Sequence, residues 1–355
     1  MSSTMIDARA DLAGGYLRST PDTVLLGELP CASDTPVTSV NPGDVITIDT
    51  VSHEGILPDQ GSDPRAFFAR FGVPESQVLP DAIDIAESGR RPAGAGPHVV
   101  TGPIAVPGAR PGDLLAVTVI DLVRRADYGI VSSRHGRGAL PDRFPAEDVT
   151  SVFCLANGDV GSLPMVQDES AFAGGGRAIR FPLRPFLGIT GVASADGVRP
   201  NSVPPGLYGG NLDITHLGVG STLFLPVQVP DALLYVGDPH YAQGDGEVAL
   251  TAFEAPLRGT LRVEVVPGGA STANGRPFAE TSDLLIAIGL DADLNEACRD
   301  SVRGALELIE HRYGVPAGLA YAYLSAAADV RISQVVDQVK GCHTVIRKDD
   351  FREWS

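Results

Sequence analysis

Three short apolar, β-branched runs each follow a turn signal, and they set the reading of this chain. Asn41-Pro42-Gly43-Asp44 launches Val45-Ile46-Thr47-Ile48-Asp49, Arg110-Pro111-Gly112-Asp113 launches Leu114 to Leu122, and Val229-Pro230-Asp231 leads into Ala232 to Asp238. Pro and Gly preset the turns, and the β-branched stretches behind them favour strands. The returning unit points to a β-rich architecture and is compatible with internal pseudo-symmetry, though the copies are too short to establish a repeat.

The period changes in two places. Ser62-Asp63-Pro64 before Arg65 to Phe71 supplies an N-cap, a proline at the first helical position and a stopping Gly72. From Leu294 to Tyr313, Leu294, Cys298, Val302, Ala305 and Ile309 fall on one helical face. Asp293 with Glu296 forms a capping-box pattern, and Gly314 and Pro316 end the helix. A second helix over 317–328 follows a short turn. The predicted fold class is therefore α+β and β-rich: a β-sandwich or barrel-like body with a C-terminal αα-hairpin. Residues 1–40 read as an N-terminal lead-in and 41–355 as a single catalytic unit, since no Pro/Ser linker interrupts them.

Composition narrows the function. At 355 residues and 43% hydrophobic, the chain can bury a sizeable core, and its 41 glycines and 28 prolines are scattered as turns. The net charge of -17 repels nucleic acid and anionic membranes but admits a neutral small substrate. Met1 to Arg18 lacks the apolar run of a secretory signal, and no stretch nears the ~20 apolar residues a bilayer span needs. Cys31, Cys154, Cys298 and Cys342 are far apart, which suits a reducing cytoplasm.

The densest chemistry lies between Gly237 and Val248, where Asp238, His240, Gln243, Asp245 and Glu247 crowd together. The pattern reads as two apolar strands, Leu233 to Val236 and Val248 to Phe253, joined by a polar loop. The ordinary alternative is a wet hairpin turn. Gly209-Gly210-Asn211-Leu212-Asp213 is a second candidate, or an Asx turn. Asp49 with His53 and Glu54 at a strand end is a third, and His98 before a strand is a fourth. Imidazoles and carboxylates without a thiolate cluster suit zinc or another divalent ion. Such an ion activates water, and a nearby glutamate can shuttle the proton to a departing amine. Nucleophile schemes fare worse. No GxSxG elbow appears. Cys154 and Cys298 read as core. Cys342, beside Lys340 and His343, is the best thiol candidate, but neighbours on an extended segment face opposite ways.

Together these stretches resemble the acetamidase/formamidase family. The carrying motifs, in family order, are Thr101 to Asp113, Arg184 to Ala193, Gly209 to Asp213, His240 to Glu247 and Leu324 to Asp337. The resemblance implies a β-rich α+β fold, homo-oligomeric assembly and hydrolysis of formamide or acetamide to ammonia and the acid. It also implies a divalent metal, zinc or alternatively calcium. Asn211, Asp213, Asp238, His240, Asp245 and Glu247 match its site positions, whereas Tyr208 stands where certain members carry His. From the residues and the resemblance together, Glu247 is the expected proton shuttle, with Asp238 and Asp245 supporting catalysis. His240 and Asp213, which match the family positions, and Asp49, His98 and His53, read from the residues themselves, are the expected metal ligands. Asn211, Gln243 and Phe186 are expected to contact substrate, with Arg184 to Ala193 as a small apolar wall. The alternatives are a non-catalytic ligand- or metal-binding relative and a thiol amidase using Cys342.

Overall fold

Alternation along the strands decides the layers. In the strand Leu284–Asp291, Ile286 and Ile288 enter the main core, while Leu285 and Ala287 pack against helices on the opposite face. The structure is a computed structural model that describes residues 15–144, 147 and 149–354.

Among the described residues the strands form a nine-stranded and an eleven-stranded sheet. Ile46, Ile48, Leu115, Val117, Leu261 and Val263 of the first meet Leu187, Leu234, Val236, Tyr241 and Phe253 of the second in one apolar interior. This is the expected sandwich. The predicted strands at 45–49 and from Leu114 both form, the latter reaching Arg124. The described part of the 1–40 lead-in is woven into the body. Gly15–Leu17 pairs parallel with Val45–Asp49, and Val24–Leu26 pairs with Val99–Ala105. The reading of residues 1–14 lies outside the described residues.

The C-terminal hairpin is Leu294–Tyr313 followed by Ala317–Ala327. Asp293 caps the first helix by accepting from the Asn295 and Glu296 amides, and Gly314 closes it in the left-handed region. The buried face differs from the expected stripe. Ala297, Ser301, Gly304, Ala305, Leu308 and Ile309 are covered, whereas Leu294, Cys298 and Val302 are only half-buried. Small residues make the contact because the helix lies against Gly289, where a Cβ would stand 2.1 Å from the Ala297 carbonyl oxygen. The helix at Pro64–Ala69 forms with Asp63 as its cap. A further helix, Pro80–Glu87, escaped the sequence reading because its cap position is Leu79, which offers no side-chain acceptor.

Candidate active site

The strand Leu234–Ala242 carries the centre of the site. One edge pairs with Phe186–Gly191 along its length. The other edge changes partner, from Val99–Ala105 at Leu234 to Gly237 to Phe253–Glu254 at His240 and Ala242. Asp238 lies at that changeover with φ +53°, and Asp213 and Glu247 also have positive φ, +51° and +46°. Non-glycine residues there cost of order 1–3 kcal/mol each and persist where the surroundings hold them, commonly at functional sites.

This geometry corrects the hairpin reading. Asp238 and His240 are on a strand rather than in a loop, and the polar turn begins only after Ala242. Residues 248–252 are not a strand; only Phe253–Glu254 is.

Asp238, fully buried, divides its two oxygens. Oδ2 lies 2.9 Å from His240 Nε2. Oδ1 lies 3.7 Å from His53 Nδ1 and 3.8 Å from His98 Nε2. His53 Nδ1 and Asp238 Oδ1 are buried without a hydrogen-bond partner among the described residues. The far nitrogens are occupied: His98 Nδ1 is 2.8 Å from Ser202 Oγ, and His53 Nε2 is 3.3 Å from Glu54 Oε1. Glu54 is in turn bonded by Arg134 and by Ser132. Two imidazole nitrogens and one carboxylate oxygen thus converge, each ring fixed from behind.

That donor set fits a divalent ion such as zinc. Metal–donor bonds of about 2.0–2.1 Å at tetrahedral to trigonal angles separate donors by roughly 3.3–3.6 Å, close to the distances around Asp238. Two further groups are spaced for an ion: Asp213 with His240 and Glu247, and Asp238 with His240 and Glu254. Gly188 makes the room. A Cβ there would stand 2.5 Å from Asp238 Oδ2, 2.6 Å from Asp213 Oδ1 and 2.8 Å from His240 Cε1.

Charge in this buried space is unevenly distributed. Burial pushes Asp213 and Glu247 well above the usual carboxylate range, and neighbouring carboxylates add to it. Burial likewise raises Glu254 to about 7 and Asp337 to about 8. Burial also opposes ionisation of Asp238, but His240 and His98 outweigh it and hold that carboxyl low. Burial lowers His98 to about 3, leaving a neutral imidazole.

The cluster forms the floor of a cavity of about 730 Å³. His53, His98, Asn211, Asp238, Glu247 and Glu254 line it. Asn211 Oδ1 is buried without a partner among the described residues. His240 does not line the cavity; it stands behind Asp238 and Glu254.

Other expected site residues lie elsewhere. Asp49 is an ion-pair anchor: Arg258 Nε donates to it at 2.7 Å, Tyr16 at 2.5 Å, and Arg125 stands 3.3 Å away. With that neutralisation it belongs to none of the three groups spaced for an ion. Asp245 is exposed on the turn, 3.3 Å from Thr215 Oγ1 and 3.4 Å from Arg331. Gln243 is committed to the protein, donating to the Asp213 and Ser333 carbonyls at 2.9 and 3.1 Å while its Oε1 is 3.1 Å from His240 Nδ1. Phe186 packs edge-on against His240, ring centroids 5.0 Å apart, and does not line the cavity. The thiol alternative finds no activated thiol. Cys342 is buried against the Leu294–Tyr313 helix, and burial, then Cys298, push its thiol up to about 12.

Glu254, Asp337 and Arg134 were not singled out in the sequence. Glu254 ends an apolar run, and Asp337 and Arg134 arrive from distant segments. Asp337 closes the Leu324 to Asp337 motif, but nothing local marks Glu254 or Arg134; only the strand register opposite His240 brings Glu254 in.

Comparison with known proteins bears on this geometry. Residues 189–351 match the model of the acetamidase/formamidase family. A formamidase of Methylophilus methylotrophus is 28% identical over 309 residues, covering 70% of this chain and 75% of that protein. An acetamidase of Mycolicibacterium smegmatis is 28% identical over 297 residues, 65% of this chain and 73% of its own. The crystal structure of an acetamidase from Bacillus halodurans superposes with a TM-score of 0.72 at 23% identity, covering 95% of this chain and 99% of that one, which shows a shared fold.

Proposed function

We propose that the chain is an amidohydrolase of the acetamidase/formamidase family that cleaves the C–N bond of small linear amides, releasing ammonia and a carboxylic acid. The observation that carries the mechanism is the convergence of His53, His98 and Asp238 at the cavity floor, with His53 Nδ1 and Asp238 Oδ1 buried and unpartnered among the described residues. These three would hold a divalent ion, zinc by its donor set, with calcium better suited to the carboxylate-rich group of Asp213, His240 and Glu247. When bound, such an ion supplies a water acidified towards pKa ~7 and a charge sink for the carbonyl oxygen.

The remaining steps belong to this chain's side chains. Asn211 Oδ1, buried and facing the cavity, accepts an N–H of the substrate amide and orients it. Glu247 reaches the same space from the Gly246 turn, which the bridge to Gln334 fixes in place. We assign it the proton transfer from water to the departing nitrogen. Glu254, whose Oε2 also lacks a partner among the described residues, is the second candidate for this role, favoured by its position 4.0 Å from His53 Nδ1. Leu57, Val203 and Leu250 wall the cavity against water. Asp245 is assigned a supporting role from the exposed turn, where Thr215 and Arg331 contact it.

Cytoplasmic residence and homo-oligomeric assembly complete the proposal. Four unpaired cysteines support the former, and no helix among the described residues is long and apolar enough to cross a membrane. The deciding experiment is elemental analysis of purified protein beside ammonia release from formamide, acetamide and propionamide, before and after chelation. Activity lost on chelation and restored by one divalent ion supports the reading. Chelator-resistant turnover overturns the metal assignment, and no ammonia from any amide overturns the hydrolase.

A further inference from the structure

The wall above the acidic floor is built for an anion. In a chain of net charge -17, the cavity takes Arg91, Arg134 and Arg137 into its lining, with Asp59 as the acidic residue beside them. Two of these guanidiniums have hydrogens to spare. Arg134 is only 4% exposed. Its Nη2 bonds Glu54, but Nε and Nη1 are buried without a hydrogen-bond partner among the described residues. Nη1 stands 3.7 Å from Asp59 Oδ2, an ion-pair distance rather than a hydrogen bond. Arg91 donates through Nη1 to the Gly96 carbonyl, while its Nη2 is likewise buried and unpartnered among the described residues.

Burying cationic donors without acceptors is costly, and the usual resolution is a carboxylate or phosphate matched to the planar fork. Both guanidiniums neighbour the reacting end. Arg134 holds Glu54, which stands 3.3 Å from His53, and Arg91 lines the same cavity as His98, its Nη1 donating to the Gly96 carbonyl two residues before that ring. His53 and His98 lie edge to face, 5.4 Å between ring centroids. The cavity's roughly 730 Å³ also far exceeds what an acetamide-sized molecule fills.

We propose that this cavity takes amides carrying a carboxylate at their far end, half-amides of short dicarboxylic acids, with Arg91 and Arg134 binding the carboxylate while the amide lies over His53, His98 and Asp238. This rests on the amidohydrolase reading and narrows its substrate class. Formamide and acetamide would be poor substrates because they leave Arg91 Nη2 and Arg134 Nε and Nη1 without acceptors. A carboxylate is chosen over a phosphate because the acidic floor leaves room for one negative charge better than two.

The test compares amides of matched acyl length, propionamide with succinamate and butyramide with glutaramate, and measures succinate binding by calorimetry on the metal-loaded protein with propionate as the control. The expected result is a kcat/KM at least about tenfold higher for the anionic member of each pair, on the scale of a charge-assisted hydrogen bond. Arg91→Gln should collapse that ratio, Arg91→Lys should restore part of it, and high salt should narrow it. Succinate should bind more tightly than propionate, and the difference should vanish in Arg91→Gln. Equal kcat/KM within each pair, or a ratio unchanged in Arg91→Gln, overturns the proposal while leaving the amidase intact. If no amide is hydrolysed, the amidase reading falls, and the anion site is judged by succinate alone: failure to outbind propionate overturns it too.

Discussion

Glu254 stands directly opposite His240 in the strand register, and its Oε1 lies 2.9 Å from His240 Nε2. The same nitrogen is 2.9 Å from Asp238 Oδ2. One imidazole, held from behind by Phe186 and Gln243, therefore stands at ion-pair distance from two carboxyls, its Nε2 buried without a hydrogen-bond partner among the described residues. Their other oxygens, Asp238 Oδ1 and Glu254 Oε2, turn towards His53 at 3.7 and 4.0 Å. His240→Ala is expected to release both carboxyls and lower metal affinity or turnover about 10- to 100-fold, the usual effect of losing such support. Metal titration and kcat/KM on the folded variant check this. Wild-type values for both would remove His240 from the site.

The donor set makes a sharper prediction. His98→Asn removes one of the converging atoms around which an ion would sit, and Asp238→Asn removes the negative charge of another. Metal content should fall below stoichiometric in both, with turnover reduced at least about 100-fold and the thermal transition still cooperative. Elemental analysis after gel filtration reads this directly, and full metal occupancy in both variants would falsify the His53–His98–Asp238 assignment.

Glu247→Gln keeps the shape of the side chain and removes its proton chemistry. Turnover should fall about 100- to 10,000-fold, the range for positioned acid–base groups, with metal retained. Glu254→Gln is the comparison: if it alone shows the loss, the proton carrier is Glu254. Stopped ammonia-release assays with parallel metal analysis separate the two.

Gly188 offers a test that adds atoms instead of deleting a functional group. The Cβ of Gly188→Ala would meet Asp238 Oδ2, Asp213 Oδ1 and His240 Cε1, all within 2.8 Å, so some of these must shift. Activity should collapse while the circular dichroism spectrum stays native. Wild-type turnover in Gly188→Ala would show that this close approach does not set the site geometry.

Some of this was legible in the chain and some was not, for physical reasons. The 45–49 strand, the Asp293 cap and the Gly314 stop are local, written in adjacent residues, and they form as read. Asp238, Asp213 and Glu247 were visible because polar residues beside glycines break an apolar pattern. The loop placement of His240 failed because a fully buried strand can carry polar residues that face others across the sheet, here Glu254 opposite His240. Asp49 had the right residue type at a strand end, but its partner Arg258 lies more than two hundred positions away. Glu254 and Arg134 had no local mark at all: sheet register and loop packing bring them in.

The last prediction concerns His343, away from the cavity lining. Its ring is fully buried, with Nδ1 2.8 Å from Ser333 Oγ. Burial, then His216 and Arg331, lower it from 6.5 to about 3. The folded chain thus keeps it neutral where the unfolded chain binds a proton. The stability from this depressed pKa is fully present above about pH 6.5 and is lost as pH falls towards 3, at up to about 1.4 kcal/mol per pH unit. His98 contributes in the same direction, also lowered to about 3, while Glu254 and Asp337, raised to about 7 and 8, contribute in the opposite one, so the test is the difference between variant and wild type. His343→Gln can keep a bond to Ser333 and removes one titrating group. Urea denaturation at pH 7.5 and 5.0 should show the variant losing less stability on acidification than the wild type, by up to about 2 kcal/mol. Equal losses would mean that His343 is protonated in the folded chain at pH 5.0 and that its burial does not hold it neutral.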